Sequence, residues 1–407
     1  MTRSSTAPNV DADPHGNPLR SWLSVISVAV AAFAFVTTEY LPVGILPQIA
    51  NDLHISEGTA GLMVTAPGIL AAISAPAMMF GAGRIDRRFI LLALTMLLLA
   101  SNLVAAFSTN FTVMLLGRAL LGVSLGGFWT VALAASGRLV AEARAAKAMV
   151  LIFTGITFAT VLGVPFGTFL SNLFTWRAAF IATSLLVAVA LVAQAILLPA
   201  LPSKGSVSID GLLALLRRSN PRKSILLVLL VIGAHFTSYT YIAPFLVQGG
   251  VFSLPMISAI LLGFGIVGMV ANFAISGPAG KNLQASLFWM VLLMMLVLMA
   301  LPLLQGSAAG LVVAVLVWGV AFGAIPLCLS LWLQHTSPDL PEAGSAMLVT
   351  GFQVATALGS FGGGVVVDRV GVPATLWMGA ALALVSLLLI ASFGVNNKRL
   401  VEQLATH

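Results

Sequence analysis

Residues 24–45 read SVISVAVAAFAFVTTEYLPVGI and contain a single residue of the charged types, Glu39. An α-helix needs about 20 predominantly apolar residues to cross the hydrocarbon core of a bilayer, so this stretch predicts a membrane-spanning helix. The whole chain has the same character, because hydrophobic residues make up 59% of it and charged residues 8%. Soluble domains contain about 45–50% and about 25% of these two classes. The composition therefore indicates an integral membrane protein.

Eleven further apolar runs follow the first. The twelve runs, which we number spans 1 to 12, lie near 24–45, 58–80, 89–107, 111–134, 147–170, 178–199, 224–247, 254–276, 285–304, 308–333, 344–366 and 372–394. They predict an all-α membrane protein with twelve transmembrane helices in two six-helix bundles, at 22–199 and 224–395. Residues 1–21 and 396–407 are predicted cytoplasmic tails. The linker at 200–223 has Ile209, Leu212, Leu213 and Leu216 at helical spacing, which predicts a short interfacial helix.

The positive charges predict the orientation of the chain. With the amino terminus inside the cell, all of the 19 Lys and Arg residues fall on the cytoplasmic side except Arg118, Arg177 and Arg369. Cytoplasmic loops of membrane proteins carry such an excess, so we expect both termini in the cytoplasm. The basic residues stand in short clusters between apolar runs rather than on one continuous face. We therefore expect no nucleic-acid partner.

The two halves of the chain resemble each other. Glu39-Tyr40-Leu41-Pro42 in span 1 aligns with Tyr241-Ile242-Ala243-Pro244 in span 7. The glycine pairs 122/126 and 163/167 align with the pairs 319/323 and 359/363. All these matches share an offset of roughly 200 residues, half the chain, as expected for the internal repeats of transporters. Each glycine pair taken alone is also a common packing device of membrane helices.

Glu39 and Arg118 are the two charged residues that lie well inside the apolar runs. Each costs about 2.5–3.5 kcal/mol at a bilayer centre on insertion scales, which favours a functional role. At 1.5 Å per residue, both lie roughly 10 Å below the outer surface, so we expect them to share a cavity and to couple transport to protons. Burial favours a neutral carboxyl and a nearby cation favours an ionised one. Alternatively, the two residues form a structural ion pair, or the long stem of Arg118 snorkels outward.

Several aromatic and amide residues are candidate substrate contacts. His235 lies near the middle of span 7, with Tyr239 one turn beyond on the same face, followed by Tyr241. A cluster of rings and hydroxyl groups is able to stack on a planar polar ligand and donate hydrogen bonds to it. Equally, a histidine in a membrane helix often serves packing alone. The other candidates are Tyr40, Trp129, Asn272, Trp318 and Gln353, each of which also fits a packing role.

Other chemistries find no support in the sequence. The GFGIVG at 263–268 fits a dinucleotide fingerprint and the GVSLG at 122–126 a hydrolase elbow, but both lie inside predicted membrane helices with no strand before them. There is no Walker lysine motif, so we expect no ATP use by this chain. The single cysteine, Cys328, excludes an internal disulfide or a cysteine metal cluster. We expect neither an enzyme nor a cofactor or metal, and a proton gradient as the energy source.

Local motifs resemble those of the major facilitator superfamily, in its twelve-helix drug/proton antiporter branch, over residues 20 to 395. They are Asp86-Arg87-Arg88 between spans 2 and 3, Arg118 with Gly122 in span 4, Gly163-Val164-Pro165-Phe166-Gly167 in span 5, and Trp176-Arg177 with Phe180 in span 6. Within this branch, the segments 38–43, 55–58, 117–122 and 126–129 look most like those of bacterial purine ribonucleoside efflux pumps. Two departures are Phe89, where the family usually has glycine, and the loose form of the span 5 motif.

The resemblance implies a gating role for Asp86, Arg87 and Arg88 in the loop and for Gly163, Pro165 and Gly167 in span 5. It implies a secondary transporter that exports a small polar or amphipathic molecule, best a purine ribonucleoside, in exchange for protons. We expect a multi-pass monomer in the bacterial inner membrane whose partners are substrate, protons and lipid. The alternatives are a sugar or multidrug (chloramphenicol-type) proton antiporter, and then a symporter or facilitator. From another class, a non-transporting receptor or membrane enzyme stays open.

Overall fold

A computed structural model describes residues 17–81, 85–136, 138–202, 217–248, 252–337 and 339–405. All regular elements in these ranges are helices, which confirms the predicted fold class. The α-helices are Pro18–Asp52, Glu57–Ala60, Leu62–Gly81, Arg87–Ala106, Phe111–Ser136, Ala145–Leu173, Trp176–Leu197, Ser219–Tyr239, Ile242–Gln248, Leu254–Lys281, Leu283–Leu303, Ala308–Thr336, Pro341–Val370 and Pro373–Ala405, with a 3-10 turn at Glu142–Arg144.

These helices form the twelve predicted spans. Span 2 consists of the short helix Glu57–Ala60 and the helix after it, and span 7 consists of Ser219–Tyr239 and Ile242–Gln248. Every other span is one helix. Because the number of spans is even, the start of span 1, the end of span 6 and the end of span 12 lie on one face of the membrane, which we call the terminal face. The opposite face is the distal face.

The helices extend beyond the apolar runs that predicted them. Span 1 begins at Pro18, where the Asn17 side chain accepts the Leu19 N–H at 2.9 Å, and it ends at Asp52. The last helix continues to Ala405, into the predicted tail. Residues 395–405 include several strong helix formers and lack both glycine and proline, so nothing in this stretch ends the helix. Residues 1–16 of the amino-terminal tail and residues 203–216 of the linker, with the predicted interfacial helix, lie outside the described residues.

Glycines at matching positions let helices touch in both halves. A Cβ atom at Gly122 in span 4 would lie 2.5 Å from the Pro67 oxygen in span 2, and its repeat mate Gly319 in span 10 would approach the Phe264 oxygen of span 8 equally closely. Gly163 in span 5 packs on span 1, and its counterpart Gly359 in span 11 packs on span 7. The proposed repeat therefore corresponds to equivalent helix pairs in the two bundles.

The two bundles meet along three pairs of helices. Span 2 packs on span 11, span 5 on span 8, and span 1 on the second helix of span 7. At the first seam, Gly68 lies against the backbone of Gln353, and at the second, Gly265 lies against Val161. This arrangement brings the middle of span 1, which carries Glu39, towards the middle of span 11.

A matched pair of glycine substitutions tests this packing. Gly122→Ala should lower the melting temperature of the detergent-solubilised protein, because overpacking costs about 1–3 kcal/mol. Gly277→Ala in span 8, where no atom lies within 4 Å of the added Cβ, should leave it unchanged or raise it. Equal melting temperatures for the two variants would contradict the close contact of spans 2 and 4.

Candidate functional site

Arg118 ties three helices together from the centre of the amino-terminal bundle. Its side chain is fully buried. The guanidinium donates from Nε to the Met63 oxygen at 2.7 Å, from Nη1 to the Thr38 oxygen at 2.7 Å and from Nη2 to the Glu39 oxygen at 2.8 Å. Spans 1, 2 and 4 are therefore joined by one side chain through charge-assisted hydrogen bonds.

Two of these acceptors are free because of proline. Within an α-helix the oxygen of residue i accepts from the N–H of residue i+4, and proline has no N–H. Pro42 stands four residues after Thr38, and Pro67 stands four residues after Met63. Each proline thus leaves a main-chain oxygen without its helical donor inside the membrane, where an unsatisfied oxygen is costly. Arg118 supplies both missing donors.

This geometry changes the expected role of Arg118. The arginine does not snorkel, because none of its side chain is exposed. The described hydrogen bonds of its guanidinium end on main-chain oxygens rather than on the Glu39 carboxyl group. Its charge still lies close enough to act on that carboxyl. Arg118 is therefore a structural clamp beside Glu39 and not its direct ion-pair partner.

Glu39 lies at the boundary between the two bundles. The residue is 5% exposed, and its carboxyl group lies close to the Gln353 side chain of span 11. The preceding residue is fixed from the other side, because the Thr38 hydroxyl accepts from Asn102 Nδ2 at 3.1 Å. Asn102 in turn accepts from the Thr183 hydroxyl at 3.1 Å. The amino-terminal bundle thus holds the Glu39 main chain while the side chain faces the carboxy-terminal bundle.

An aromatic cluster occupies the carboxy-terminal bundle next to this contact. We define it as His235, Phe236, Tyr239, Phe264, Trp318 and Phe322. The His235 ring is stacked between Phe322, with centroids 3.3 Å apart, and Tyr239, with centroids 4.7 Å apart. Tyr40, the neighbour of Glu39, stacks on Phe236 at 5.6 Å and so connects the cluster to span 1.

Three polar atoms of the predicted substrate contacts near the boundary have no hydrogen-bond partner in the described structure. They are Nδ1 of His235, Nε1 of Trp318 and Oε1 of Gln353, and all three are buried. Buried polar groups in proteins nearly always have a partner. Together with the carboxyl group of Glu39, these atoms make the boundary a candidate binding site for a small polar ligand with an aromatic ring.

Two predicted substrate contacts lie away from this site. Trp129 packs edge-on against Phe128 in the amino-terminal bundle, and it stands eleven residues, or roughly 16 Å, along span 4 from Arg118. Asn272 is half-buried and stands eight residues, or roughly 12 Å, along span 8 from Phe264. The structure thus brings together Tyr40, His235, Tyr239, Trp318 and Gln353, but not these two.

Tyr241 also lies elsewhere. Span 7 is interrupted at Thr240, and the Tyr241 hydroxyl donates to the Ser360 oxygen of span 11 at 2.7 Å. The residue is 1% exposed, and its hydroxyl group lies against Gly61 of span 2 and Gly364 of span 11. The hydroxyl group of Tyr241 is thus already bound within the structure, and the predicted stacking role of its ring stays a prediction.

The predicted gating residues of the loop between spans 2 and 3 contact their own bundle. The Asp86 carboxylate accepts the N–H groups of Arg88 and Leu201, both at 2.8 Å, and Arg88 Nη2 donates to the Ala195 oxygen at 2.7 Å. The Arg87 N–H donates to the Leu201 oxygen at 3.0 Å. These bonds fix the loop to the end of span 6.

In span 5, Gly163 and Gly167 face span 1, and the gating role of these glycines and of Pro165 stays a prediction.

Sequence reasoning missed part of the site. Phe236, Phe264 and Phe322 were not among the predicted contacts, although Phe236 is adjacent to His235 and Phe322 stands one turn from Trp318. The prolines four residues after two of the oxygens that Arg118 binds were also present in the sequence. The sequence alone does not show that Arg118 of span 4 packs beside the proline-containing turns of spans 1 and 2.

Comparisons with known proteins are consistent with this architecture. A sequence model of the Major Facilitator Superfamily matches residues 28–349. The Transcription regulatory protein OpdE of Pseudomonas aeruginosa is 35% identical over 373 residues, which cover 90% of this chain and 92% of that protein. The Purine ribonucleoside efflux pump NepI of Salmonella paratyphi B is 32% identical over 374 residues, which cover 91% of this chain and 94% of that protein.

Among solved structures, a point mutant of the nucleoside transporter NupG superposes with a TM-score of 0.74 and 15% sequence identity. The match covers 91% of this chain and 99% of that chain. At this level of identity, the likeness concerns the fold alone.

The proline and arginine arrangement yields a test by substitution. Arg118→Met should destabilise the protein by about 3–5 kcal/mol, because breaking a buried charged network leaves its partners unsatisfied. Adding Pro42→Ala and Pro67→Ala should recover part of this loss, since each alanine N–H replaces one lost donor. The coupling should be about 0.5–3 kcal/mol, measured from unfolding midpoints in detergent.

Pro76→Ala is the control for the recovery. It lies in the same helix as Pro67 but stands nine residues further from Met63, so it should give no recovery in the Arg118→Met background. A recovery as large as that from Pro67→Ala would contradict the assignment of Arg118 as donor to the proline-freed oxygens.

Proposed function

Since the chain belongs to the Major Facilitator Superfamily, a family of membrane transporters, we propose that it exports purine ribonucleosides and their analogues in exchange for protons. The observation that carries this proposal is the Glu39 carboxyl group at the boundary between the bundles, in contact with Gln353 and beside the aromatic cluster. The name of the relative NepI supports the choice of substrate class.

Glu39 is the proposed proton carrier. An ionisable residue inside a membrane helix is expensive and is by default a functional candidate. The Arg118 guanidinium already donates to three main-chain oxygens, and the Gln353 side chain faces the carboxyl group from across the boundary. Losing or gaining a proton therefore changes the contact between the two bundles directly.

The proposed cycle follows from this position. Glu39 takes up a proton when the site faces the distal side, and the neutral carboxyl allows the bundles to reorient towards the terminal side. There the proton leaves and the substrate binds, so that substrate and proton occupy the site alternately. The positive-inside bias of the sequence supports the proposal that the terminal face lies in the cytoplasm.

The aromatic cluster fits a purine nucleoside. A purine offers flat faces for stacking on rings such as Tyr40 and Phe236, and ring edges that both donate and accept hydrogen bonds. The three unpartnered atoms supply both kinds of group, because Trp318 Nε1 donates, Gln353 Oε1 accepts and His235 Nδ1 does either according to its tautomer. Hydrogen bonds then select among rings that stacking alone would tolerate.

The alternatives differ in measurable ways. A sugar or drug exporter would move pentoses or chloramphenicol in preference to purines. The relative OpdE is named a transcription regulatory protein, so a receptor that does not transport is the alternative from another class. Purified protein in proteoliposomes with an imposed pH gradient distinguishes these possibilities, because inosine uptake would appear only for a nucleoside transporter.

We predict that Glu39→Gln abolishes the acceleration of inosine transport by a pH gradient in everted vesicles, while exchange of inosine for inosine continues in part. The amide keeps the shape and the hydrogen bond but cannot carry a proton. Asp52→Asn is the matched control, because Asp52 pairs with Arg177 in the same bundle at 2.7 Å, away from the boundary. Acceleration of Glu39→Gln to the wild-type extent would exclude the carrier role.

Trp318→Phe should weaken inosine binding about 2- to 10-fold while keeping the ring, because the loss of one hydrogen bond is worth about 0.5–1.5 kcal/mol. Trp129→Phe, which changes a tryptophan outside the site in the same way, should have no effect. Binding is measured by isothermal titration calorimetry on purified protein. Equal affinities for both variants and the wild type would remove Trp318 from the recognition site.

A further inference from the structure

Asp368, near the end of span 11, contacts the beginning of span 2 in the other bundle. Its Oδ1 accepts the Gly58 N–H at 3.1 Å, and its Oδ2 accepts the Ser56 hydroxyl at 3.0 Å. The first N–H groups of a helix have no partner within the helix, and the helix dipole favours a negative charge there. The Ser56 hydroxyl also caps this helix, because it accepts the Thr59 N–H at 3.0 Å. Asp368 therefore completes the amino-terminal cap of a helix that belongs to the opposite bundle.

The main chains of the two bundles almost touch beside this carboxylate. A Cβ atom at Gly364 would lie 2.7 Å from the Gly58 oxygen, and Gly58 is buried. A second hydrogen bond crosses nearby, from Gln248 Nε2 in span 7 to Glu57 Oε2 in span 2 at 3.0 Å. Spans 2, 7 and 11 are thus closed against each other at the distal face.

The seam between spans 5 and 8 is tied at the same face. Asn172 at the end of span 5 donates from Nδ2 to the Ser258 hydroxyl of span 8 at 3.3 Å. Asn172 also accepts from Gln48 Nε2 in span 1 at 3.1 Å, which orients its amide. Both of these seams therefore carry a polar contact at the distal face, through acidic side chains at spans 2 and 11 and through neutral ones at spans 5 and 8.

We propose that Asp368 is a positioning residue of the transport cycle, whose carboxylate holds span 2 against span 11 and so closes the distal entrance to the central site. The contact is able to open during the cycle, because Glu57 lies close enough to Asp368 for the two acidic side chains to repel each other. Both residues are also in reach of water, which replaces the hydrogen bonds that are lost on opening. Opening towards the distal face then requires the carboxylate to leave the start of span 2. The proposal rests on membership of the transporter family and is independent of the substrate and of proton coupling.

Cysteine accessibility tests the proposal. In a Cys328→Ala background, a reporter cysteine replaces Thr356, which is 1% exposed and lies one turn from Gln353 in span 11. A membrane-impermeant maleimide is applied to whole cells and to everted vesicles, which present the two faces separately. Asp368→Ala should raise the labelling rate from the distal face at least several-fold and lower the rate from the terminal face.

Two matched variants separate a latch from a general loss of structure. Asp368→Asn keeps an oxygen that accepts the Gly58 N–H, so its labelling rates should stay within about twofold of the parent, since amides and carboxylates cap helices comparably well. Asp52→Ala breaks the ion pair with Arg177 inside one bundle and should leave both rates unchanged.

Unchanged labelling of Asp368→Ala from both faces would overturn the proposal, and so would an equal increase for Asp52→Ala. If Asp368→Ala does not accumulate in the membrane, Ser56→Ala takes its place, because it removes the 3.0 Å bond to Oδ2, together with the Ser56 cap on the Thr59 N–H, and keeps the bond from Gly58. It should shift the labelling in the same direction by a smaller factor, and the absence of a shift would overturn the proposal equally. Since labelling needs neither substrate nor gradient, a wrong substrate assignment would leave these results as they stand.

Discussion

The amino-terminal bundle depends on one arginine that replaces the hydrogen-bond donors removed by two prolines. Pro42 and Pro67 leave the oxygens of Thr38 and Met63 without helical donors, and Arg118 binds both. In a bilayer no water is available to satisfy such oxygens, so the arginine and the prolines depend on each other. The clamp fixes span 1 beside Glu39, whose own oxygen receives the third bond. The position of the carboxyl group at the boundary follows from this clamp.

The carboxy-terminal bundle shows what happens where the arginine is missing. The repeat aligns Pro42 with Pro244, Thr38 with Thr240 and Arg118 with Val315, which has no donor. Span 1 runs as one helix from Pro18 to Asp52, whereas span 7 stops at Tyr239 and resumes at Ile242. The interruption of span 7 is the alternative way to accommodate the same proline. Beyond the interruption, the Tyr241 hydroxyl donates to the Ser360 oxygen of span 11 and lies against Gly61 of span 2.

This difference also explains what the sequence could and could not predict. The spans, the two buried charges and the shared face of His235 and Tyr239 follow from hydropathy and helical spacing, which are local properties. Tyr241 was predicted as a substrate contact because it follows His235 and Tyr239 in span 7, and that inference did not allow for the helix break between Tyr239 and Ile242. The partners of Arg118 and the cap formed by Asp368 join residues that are distant in the sequence. They depend on how the helices pack, which spacing along one helix does not determine.

Glu39 couples the two bundles, because its main chain is held by one bundle and its carboxyl group lies close to the other. The central claim is that substrate and proton occupy the site alternately. The most direct measurement is the pH change on adding inosine to purified protein in weakly buffered detergent solution, followed with a pH-sensitive dye. The account predicts release of protons by the wild-type protein and none by Glu39→Gln. Saturable inosine binding by the wild-type protein with no release of protons, at any pH at which the protein is folded, would contradict it.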